Sequence, residues 1–393
     1  MTATNLVASA RLCAVGTLGV CLLSGDDIVV TGDEGLTVPL IAGRHVATAP
    51  VETSVAPGAA VPAARHTVWL RVPDVKGSYT IPYIQSSPDL DIRTAFPDPA
   101  VVRAEVQLLR GPVRVAAVET TPAAPLARFR ALPPAEYAIR VLGITAEGTA
   151  VVDDCYERIA LGTIIAALGD SITEGYHSQG FWRDRLELTP ADFPAEVVSR
   201  DRRNYPQYTP TTAYHRPEVN CFASWMPRLN DLLAERWQHP VFIANEGWGG
   251  FTTGNYLRLM ADPGWQARMR LLRPTVWLIH LGVNDERHQV PAADVAANLA
   301  AIVSVLLTDY GADPARICIS QPCYDYAPGA AALLTAYGRE IDSLVAARGL
   351  RPGPDFFTAY STGRETYYGA DPVHPNLAGM KLMAELWAEA LTR

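Results

Sequence analysis

The chain has 393 residues, of which 49% are apolar and 19% charged, and its formal net charge is −8 at neutral pH. This is the composition of a globular protein with enough apolar residues for at least one large core. No basic run could follow a phosphate backbone, so we expect no nucleic-acid partner. The longest candidate apolar run, Leu12–Leu23, is shorter than the about 20 residues that span a bilayer. We therefore predict no membrane span.

The N-terminal apolar run also has the length of a signal-peptide core, and Arg11 precedes it. No small-residue cleavage site follows, and the segment SGDDIVV is more typical of a turn between two strands, so the sequence assigns no compartment. None of the cysteines has zinc-binding spacing, and we predict buried free thiols, no metal and no cofactor. The cysteines stand at positions 13, 21, 155, 221, 318 and 323.

Residues 1–160 are predicted to form a β-rich accessory region. Short runs such as HTVWLRV, AEVQLLR and YAIRVLGI are rich in β-branched and apolar residues, and glycine and proline separate them. The stretch LPPAEYAIRVLGITAEGTAVVDD predicts a hairpin with AEG at its turn. The spacing is typical of one β-sandwich, or of two small β units divided near the Pro/Ala-rich segment 56–64.

Residues 161–393 predict a different fold class, α/β, because buried strands alternate with amphipathic helices. The predicted strands are GTIIAALG, PVFIAN, TVWLIHLG and RICISQP, and the predicted helices cover 224–237, about 292–308, 330–348 and the C-terminal PNLAGMKLMAELWAEAL. This alternation indicates a parallel sheet covered on both faces, with ligands at the carboxyl ends of its strands. A long segment at about 176–222, rich in aromatic and polar residues, is inserted after the first strand.

Two candidate site segments follow predicted strands in the first part of this domain. Ser171 stands in ALGDSITEG, where a strand-to-helix turn would expose its hydroxyl; the structural alternative is a helix N-cap. Asp170 is interpreted as a support of that turn. Gly250 stands in ANEGWGGFTT and could offer its backbone N–H to an oxyanion, although a plain tight turn explains the same glycines.

Two further segments follow later strands. Asn284, in HLGVNDE, has an amide that could donate to an oxyanion, and the alternative is an Asn-Asp turn. Asp371 and His374, in GADPVHPNLAG, have the spacing at which a carboxylate can orient an imidazole that faces a serine. His280 lies within an apolar strand, and we interpret it as a core histidine.

Together these four segments, in this order, resemble the SGNH (GDSL) hydrolases, which are defined by a Ser in G-D-S, a Gly, an Asn in G-x-N-D and a His in D-x-x-H. The resemblance covers about 163–393 and implies a three-layer α/β/α flavodoxin-like fold that hydrolyses esters or thioesters without metal. It further implies Ser171 as nucleophile, His374 as base and Asp371 as its orienting partner. The implied oxyanion hole consists of the Ser171 and Gly250 N–H groups and the Asn284 side chain.

For the substrate, we expect a small-molecule or glycan ester. Trp248, Tyr176 and Trp182 are candidate binding residues, since aromatic rings stack on sugars; the alternative is that such rings pack the inserted loop onto the domain. A β-rich region before an SGNH domain is similar to the layout of bacterial carbohydrate esterases, which suggests glycan O-deacetylation and, with it, an exported protein. The alternatives for the β-rich region are a rigid spacer, a carbohydrate-binding module or a dimerisation surface. The rival hypotheses are a lipase, lysophospholipase or thioesterase on the same fold, and a glycan-binding or structural protein that retains it. No oligomeric state is predicted.

Overall fold

The computed structural model of the chain describes residues 10–13, 20–24, 29–30, 36–39, 83–96, 98–176, 224–368 and 372–393. Within these ranges, two mostly antiparallel sheets precede one parallel sheet that is covered by helices. The predicted strand HTVWLRV and the Pro/Ala-rich segment 56–64 lie outside the described residues.

The N-terminal half is β-rich, as predicted. Its strands are β1 (Ala10–Cys13), β2 (Val20–Ser24), β3 (Val29–Val30), β4 (Leu36–Pro39), β5 (Tyr83–Gln85), β6 (Leu90–Ala95), β7 (Arg103–Arg110), β8 (Val113–Thr120), β9 (Leu126–Phe129), β10 (Ala135–Ile144) and β11 (Ala150–Leu161). One seven-stranded sheet has the order β1-β2-β5-β11-β10-β7-β8, and a four-stranded sheet has the order β3-β4-β6-β9.

The predicted hairpin is confirmed, because β10 and β11 pair antiparallel around a turn at Ala146-Glu147-Gly148. Gly148 has a φ of +83°, which favours glycine at that position of the turn. Side chains alternate between buried and half-buried along β10, as expected for a strand with one face on a core. Apolar residues of both sheets, such as Ile92 of β6 and Val106 of β7, belong to one shared core.

The C-terminal half contains a five-stranded parallel sheet. Its strands are β12 (Thr163–Gly169), β13 (Val241–Gly247), β14 (Val276–His280), β15 (Ile317–Gln321) and β16 (Arg351–Asp355), in the order β13-β12-β14-β15-β16. Counted along the chain this is the order 2-1-3-4-5 of flavodoxin-like folds. Four of these strands match predicted ones. The sequence analysis missed β16, whose sequence RPGPD contains two prolines; they are tolerated because the strand lies at the sheet edge.

Helices cover both faces of this sheet. They are α1 (Ser171–Glu174), α2 (Trp225–Trp237), α3 (Thr253–Met260), α4 (Pro263–Leu272), α5 (Val283–Arg287), α6 (Ala292–Asp309), α7 (Ala330–Arg348), α8 (Phe356–Tyr360), α9 (Arg364–Tyr367) and α10 (Leu377–Thr392). Alternate side chains of β12 enter two separate cores, Ile164 with α3, α4, α6 and α7, and Ile165 with α2, α8 and α10. The C-terminal half therefore has the predicted three-layer α/β/α fold.

One helix of the described residues, α6, is long and apolar enough to cross a membrane by length and composition alone. The sequence analysis did not consider it as a span. Its buried residues, including Leu299 and Ile302, lie in the core on one face of the parallel sheet.

The two halves meet at Gly162, the single residue between β11 and β12. A Cβ there would lie 2.1 Å from the Pro240 carbonyl oxygen, so the chain passes too close to Pro240 for a side chain. Ser86 also donates from its hydroxyl to the Arg273 carbonyl (2.9 Å), which links the β-rich half directly to the end of α4.

Candidate active site

The carboxyl ends of β12, β13 and β14 lie side by side. Gly169, the last residue of β12, is in register with Gly247 of β13 on one side and with His280 of β14 on the other. The strand order reverses at β12, and ligands of such sheets bind in the crevice outside the strand ends at that point. The segments that follow these three strands carry Ser171, Gly250 and Asn284, so the topology brings them to one edge.

Ser171 stands at the first position of the short helix α1. Asp170 caps this helix, because the Ile172 N–H donates to Asp170 Oδ1 (2.9 Å). The turn is tight, and a Cβ on Gly169 would lie 2.2 Å from Thr173 Oγ1. A residue at the first helical position has no intrahelical acceptor for its backbone N–H. The turn therefore presents both the hydroxyl and the N–H of Ser171 at the sheet edge.

The structure brings Ser171 and His374 into contact across 203 residues of sequence, with Ser171 Oγ 2.8 Å from His374 Nε2. The loop that carries His374 ends where Asn376 caps α10, its Oδ1 accepting from the N–H groups of Ala378 and Gly379. The Tyr176 ring lies 4.7 Å from the imidazole, centroid to centroid. Asp371 lies outside the described residues.

The 248–253 loop, which follows β13, is anchored to the serine turn by Glu174. This residue ends α1, is buried, and accepts a hydrogen bond from the Gly249 N–H at Oε2 (2.9 Å). A Cβ on Gly247 would lie 2.3 Å from the Glu174 nitrogen, so β13 ends directly against α1. The sequence analysis did not identify Glu174. Its only signal was the i, i+3 spacing from Ser171, which places the two residues on one side of a helix.

Two consecutive residues of α5 anchor the same loop further along. Asn284 Nδ2 donates to the Phe251 carbonyl (3.1 Å), while Asp285 accepts from the Thr253 N–H (2.9 Å) and hydroxyl (2.6 Å). With the Glu174 contact, three alternate residues of this segment are therefore fixed by hydrogen bonds: Gly249, Phe251 and Thr253. Gly250 lies between them with a φ of +81°, and within the described residues its N–H makes no hydrogen bond.

Three buried ionisable groups surround these segments. Burial raises the pKa of Asp170 to about 7, and the nearby charge of Asp285 adds to the effect. Burial likewise raises the pKa of Asp285, against the hydrogen bonds from Thr253 that lower it. Burial lowers the pKa of His280 to about 4. These three side chains are therefore shielded from solvent, and charge on them is costly.

His280 lies in the core, where its ring packs edge-on against Phe356 with centroids 5.3 Å apart. Neither ring nitrogen has a hydrogen-bond partner among the described residues. A buried imidazole without partners is neutral, which agrees with its lowered pKa.

The predicted substrate-binding residues are placed differently. Tyr176 lies against His374. Trp248 is half-buried and stacks on Phe251, with centroids 5.5 Å apart and planes 23° apart. Trp182 and nearly all of the inserted segment lie outside the described residues.

The sequence analysis missed a second group of side chains beside the His374 loop. The Tyr326 N–H donates to the Pro372 carbonyl (3.2 Å), and the Arg364 guanidinium lies 5.5 Å from the centroid of the Tyr326 ring. Asp325, which is buried, accepts from Arg287 Nε (3.1 Å). The loop after β15 thus borders the site and supports the segment that carries His374.

Within the described part of the chain, no three His, Cys, Asp or Glu side chains cluster closely enough to hold a metal ion. The arrangement offers instead a hydroxyl next to an imidazole, with backbone and amide N–H donors nearby.

Solved structures similar to this chain include a lipase/acylhydrolase from Enterococcus faecalis, which is 18% identical with a TM-score of 0.39 and matches 58% of this chain and 95% of that one. Axe2, an acetylxylan esterase from Geobacillus stearothermophilus, is also 18% identical, with a TM-score of 0.40 over 59% and 95% of the two chains. TesA is 18% identical, with a TM-score of 0.41 over 58% and 98%. No curated protein matches the chain.

A family model matches residues 167–382, which is more than half of the 393 residues. The matched range contains Ser171, Gly250, Asn284 and His374. The chain belongs to the GDSL-like lipase/acylhydrolase family.

Proposed function

We propose that this protein is a serine esterase that hydrolyses its substrate through an acyl-enzyme at Ser171, and that the substrate is an O-acetylated carbohydrate. The observation that carries the esterase proposal is the 2.8 Å contact between Ser171 Oγ and His374 Nε2 at the carboxyl end of the parallel sheet. A serine hydroxyl is a weak nucleophile until an adjacent base takes its proton, and this distance lies within hydrogen-bond reach.

In the first half of the proposed reaction, Ser171 Oγ attacks the ester carbonyl carbon as His374 Nε2 accepts the hydroxyl proton. The carbonyl π bond opens and places negative charge on the carbonyl oxygen. Collapse of this tetrahedral intermediate breaks the bond to the alcohol oxygen, which takes the proton from His374. The acyl group then remains on Ser171 as an ester.

In this mechanism, three N–H groups stabilise the negative oxygen: the backbone N–H of Ser171, that of Gly250 and the side chain of Asn284. The Asn284 side-chain amide has two N–H groups, and one of them donates to the Phe251 carbonyl. The second N–H is the group proposed to donate to the negative oxygen. Preorganised donors of this kind act without reorganising during the reaction. Glu174 and Asp285 are positioning residues, since each accepts from the loop that carries Gly250.

In the second half, water replaces the alcohol. His374 takes a proton from water, which attacks the acyl carbon, and the proton returns to Ser171 as the carboxylic acid leaves. Asp371 is assigned to orient the imidazole and to stabilise its protonated form, as the carboxylate of a catalytic triad does. The proposed reaction needs neither a metal nor a cofactor.

The carbohydrate substrate is supported by the side chains that border the site. Aromatic rings and a forked cation, namely Tyr176, Trp248, Tyr326 and Arg364, lie beside the Ser171 and His374 segments. Flat rings stack on sugar faces, and guanidinium groups donate to hydroxyl oxygens. The β-rich half, which is joined to the catalytic half at Gly162, is consistent with a protein that handles an extended glycan.

The esterase proposal is tested with a fluorophosphonate probe, which labels only an activated serine. We expect labelling of the wild type and of Ser343→Ala, an exposed serine on α7, and none of Ser171→Ala. An unlabelled wild type, or labelling that survives in Ser171→Ala, would contradict the mechanism and favour a binding or structural protein.

The substrate proposal needs separate measurements. We expect turnover of p-nitrophenyl acetate to exceed that of the octanoate and palmitate esters. Acetate should also be released from at least one member of a panel of acetylated xylan, chitin-type, sialic-acid and capsular glycans. A preference for long acyl chains would leave the serine mechanism intact and would favour a lipase or thioesterase.

A further inference from the structure

A second cleft lies at the opposite end of the parallel sheet from Ser171. It has a volume of about 740 Å³, and its walls include Thr163 at the start of β12 and Thr275 just before β14. Because β12 is seven residues long and strands rise about 3.3 Å per residue, roughly 20 Å separates this cleft from the serine turn. It is therefore distinct from the proposed catalytic site, and its volume is in the range of small-molecule sites.

Both halves of the protein form this cleft, which we call the junction cleft. Ser86 and Pro134 come from the β-rich half, and Gly162 is the connection itself. The hydrogen bond from the Ser86 hydroxyl to the Arg273 carbonyl (2.9 Å) joins the two halves at one wall of the cleft. A ligand here would thus contact both halves at once.

Three arginines line the junction cleft: Arg270, Arg273 and Arg316. All three are exposed, and none has an ion-pair partner among the described residues. Arg273 is held in place by its backbone, since it ends α4 with a φ of +49° and its N–H donates to the Met269 carbonyl. The cleft therefore contains three guanidinium groups that are not ion-paired among the described residues, and the backbone of one of them is held at the end of α4.

Two carboxylates also line the cleft, but both have local partners. Asp309 accepts from the Thr308 hydroxyl (2.6 Å), and Asp313 accepts from the Ala315 N–H (2.9 Å). Bonds from such neutral donors leave both carboxylates charged, so the three guanidinium groups and two carboxylates give the cleft a net charge of +1. Neither carboxylate is ion-paired with an arginine of the cleft among the described residues, so the guanidinium groups can bind an external anion. The wall also includes the buried Trp277, whose indole N–H has no hydrogen-bond partner among the described residues.

We propose that the junction cleft is a non-catalytic binding site for a carboxylate-bearing saccharide, such as a short uronate chain. Guanidinium groups bind carboxylates through paired N–H donors, which gives both strength and geometry. Several arginines in one cleft favour a ligand with repeated carboxylates over a single small anion. The anion site rests on the arginines alone, whereas the choice of a saccharide rests on the proposed function.

The test is calorimetric titration of the full chain with tri-galacturonate, and with a neutral trisaccharide as the matched ligand. We expect tri-galacturonate to bind and the neutral sugar not to bind at the same concentrations. Binding should weaken at least tenfold when Arg270, Arg273 and Arg316 are all changed to glutamine. The control variant Arg339→Gln, which removes an exposed arginine of α7, should bind as the wild type does.

Turnover of p-nitrophenyl acetate serves as the independent readout. The triple variant should keep wild-type turnover, because the junction cleft lies roughly 20 Å from Ser171. If the wild type fails to bind tri-galacturonate but hydrolyses p-nitrophenyl acetate, the cleft proposal alone is overturned. If the wild type binds tri-galacturonate but shows no turnover, the esterase proposal is overturned and the anion site stands. Equal binding of the neutral sugar, or undiminished binding in the triple variant, would also overturn the cleft proposal. Displacement by an equal concentration of inorganic phosphate would overturn the saccharide assignment.

Should the triple variant fold poorly, Arg273→Lys is the second variant. It keeps the charge and loses the paired donors, so we expect weaker binding with an unchanged melting temperature. Unchanged binding in Arg273→Lys would argue against a carboxylate held by paired donors at this residue.

Discussion

Replacing Glu174 with alanine removes the acceptor that holds the 248–253 loop against the serine turn. The Gly249 N–H then loses its 2.9 Å hydrogen bond to Oε2, while Gly250 and its N–H remain. Because the carboxylate is buried, the substitution also leaves an empty space under the loop. We expect the loop to shift and the Gly250 N–H to move away from the position it would hold in the oxyanion hole.

The structure sets the size of this effect. An N–H left without its partner costs about 1–3 kcal/mol, and each 1.36 kcal/mol on a barrier is a factor of ten. If that cost appears at the transition state, kcat falls by roughly 5- to 150-fold. Complete loss of one oxyanion donor costs about 10²–10³ in kcat, which is the upper bound. KM should change little, because this donor acts mainly on charge that develops in the transition state.

The assay is steady-state hydrolysis of p-nitrophenyl acetate by Glu174→Ala, Glu174→Gln and the control Glu235→Ala, an exposed glutamate of α2. Glutamine keeps an oxygen that can accept from Gly249, so Glu174→Gln should recover most of the lost kcat. Glu235→Ala should match the wild type.

Two results would refute this reasoning. One is a Glu174→Ala enzyme with wild-type kcat. The other is a Glu174→Gln enzyme as impaired as Glu174→Ala, since that pattern would show that the buried charge, not the hydrogen bond to Gly249, is what matters.

The remaining predictions concern three other positions at the sheet edge. Asn284→Ala should lower kcat by about 10²–10³ on p-nitrophenyl acetate, with labelling of Ser171 as a check that the site remains formed; a loss below threefold would remove Asn284 from the oxyanion hole. Gly247→Ala should destabilise the protein, because its Cβ would lie 2.3 Å from the Glu174 backbone nitrogen, and an unchanged melting temperature would contradict that close approach. His280 has a pKa of about 4 in the folded protein and an ordinary pKa of about 6.5. Between about pH 4 and pH 6.5, its imidazole is therefore protonated in the unfolded chain and neutral in the folded protein. Its contribution to stability is therefore full above about pH 6.5 and falls by about 2 kcal/mol at pH 5. Urea unfolding at pH 7.5 and 5 should show a larger loss on acidification for the wild type than for His280→Gln, and equal losses would refute the assignment.

Asp170 gives an opposite dependence on pH. Its pKa is raised to about 7, so the folded protein holds this proton where the unfolded chain has released it. The stability from this group is present below the ordinary carboxyl pKa and is lost as the pH rises toward 7. Studying Asp170→Asn beside His280→Gln in the same urea experiments separates the two effects, and a rise in wild-type stability relative to Asp170→Asn over this range would contradict the raised pKa.

Local sequence patterns determined much of the α/β half. The apolar run of β12 and the periodicity of α2, α6, α7 and α10 predicted elements that the structure contains, because burial on one or two faces leaves a repeat in the sequence. The segments that carry Ser171, Gly250 and Asn284 start at one sheet edge, because each follows a strand of the same sheet. The roles of these residues remain proposals.

Other elements left no such pattern. β16 has two prolines, and its edge position tolerates them. The short helices α3 and α4 were not predicted, although Thr252 and Asp262 cap them with side-chain hydrogen bonds. Such caps are visible in a sequence only once the helix that follows is recognised.

Motifs in the sequence indicate which residues are proposed to perform ester hydrolysis and the order in which they occur along the chain. Three contacts depend on the tertiary fold: Ser171 Oγ lies 2.8 Å from His374 Nε2, Glu174 holds the loop of Gly250, and Arg316 shares the junction cleft with two arginines at the end of α4. The reason is that strand and helix periodicity is set by neighbours along the chain. Contacts between distant segments depend on sheet order and register, which bring the ends of β12, β13 and β14 together regardless of their separation in sequence.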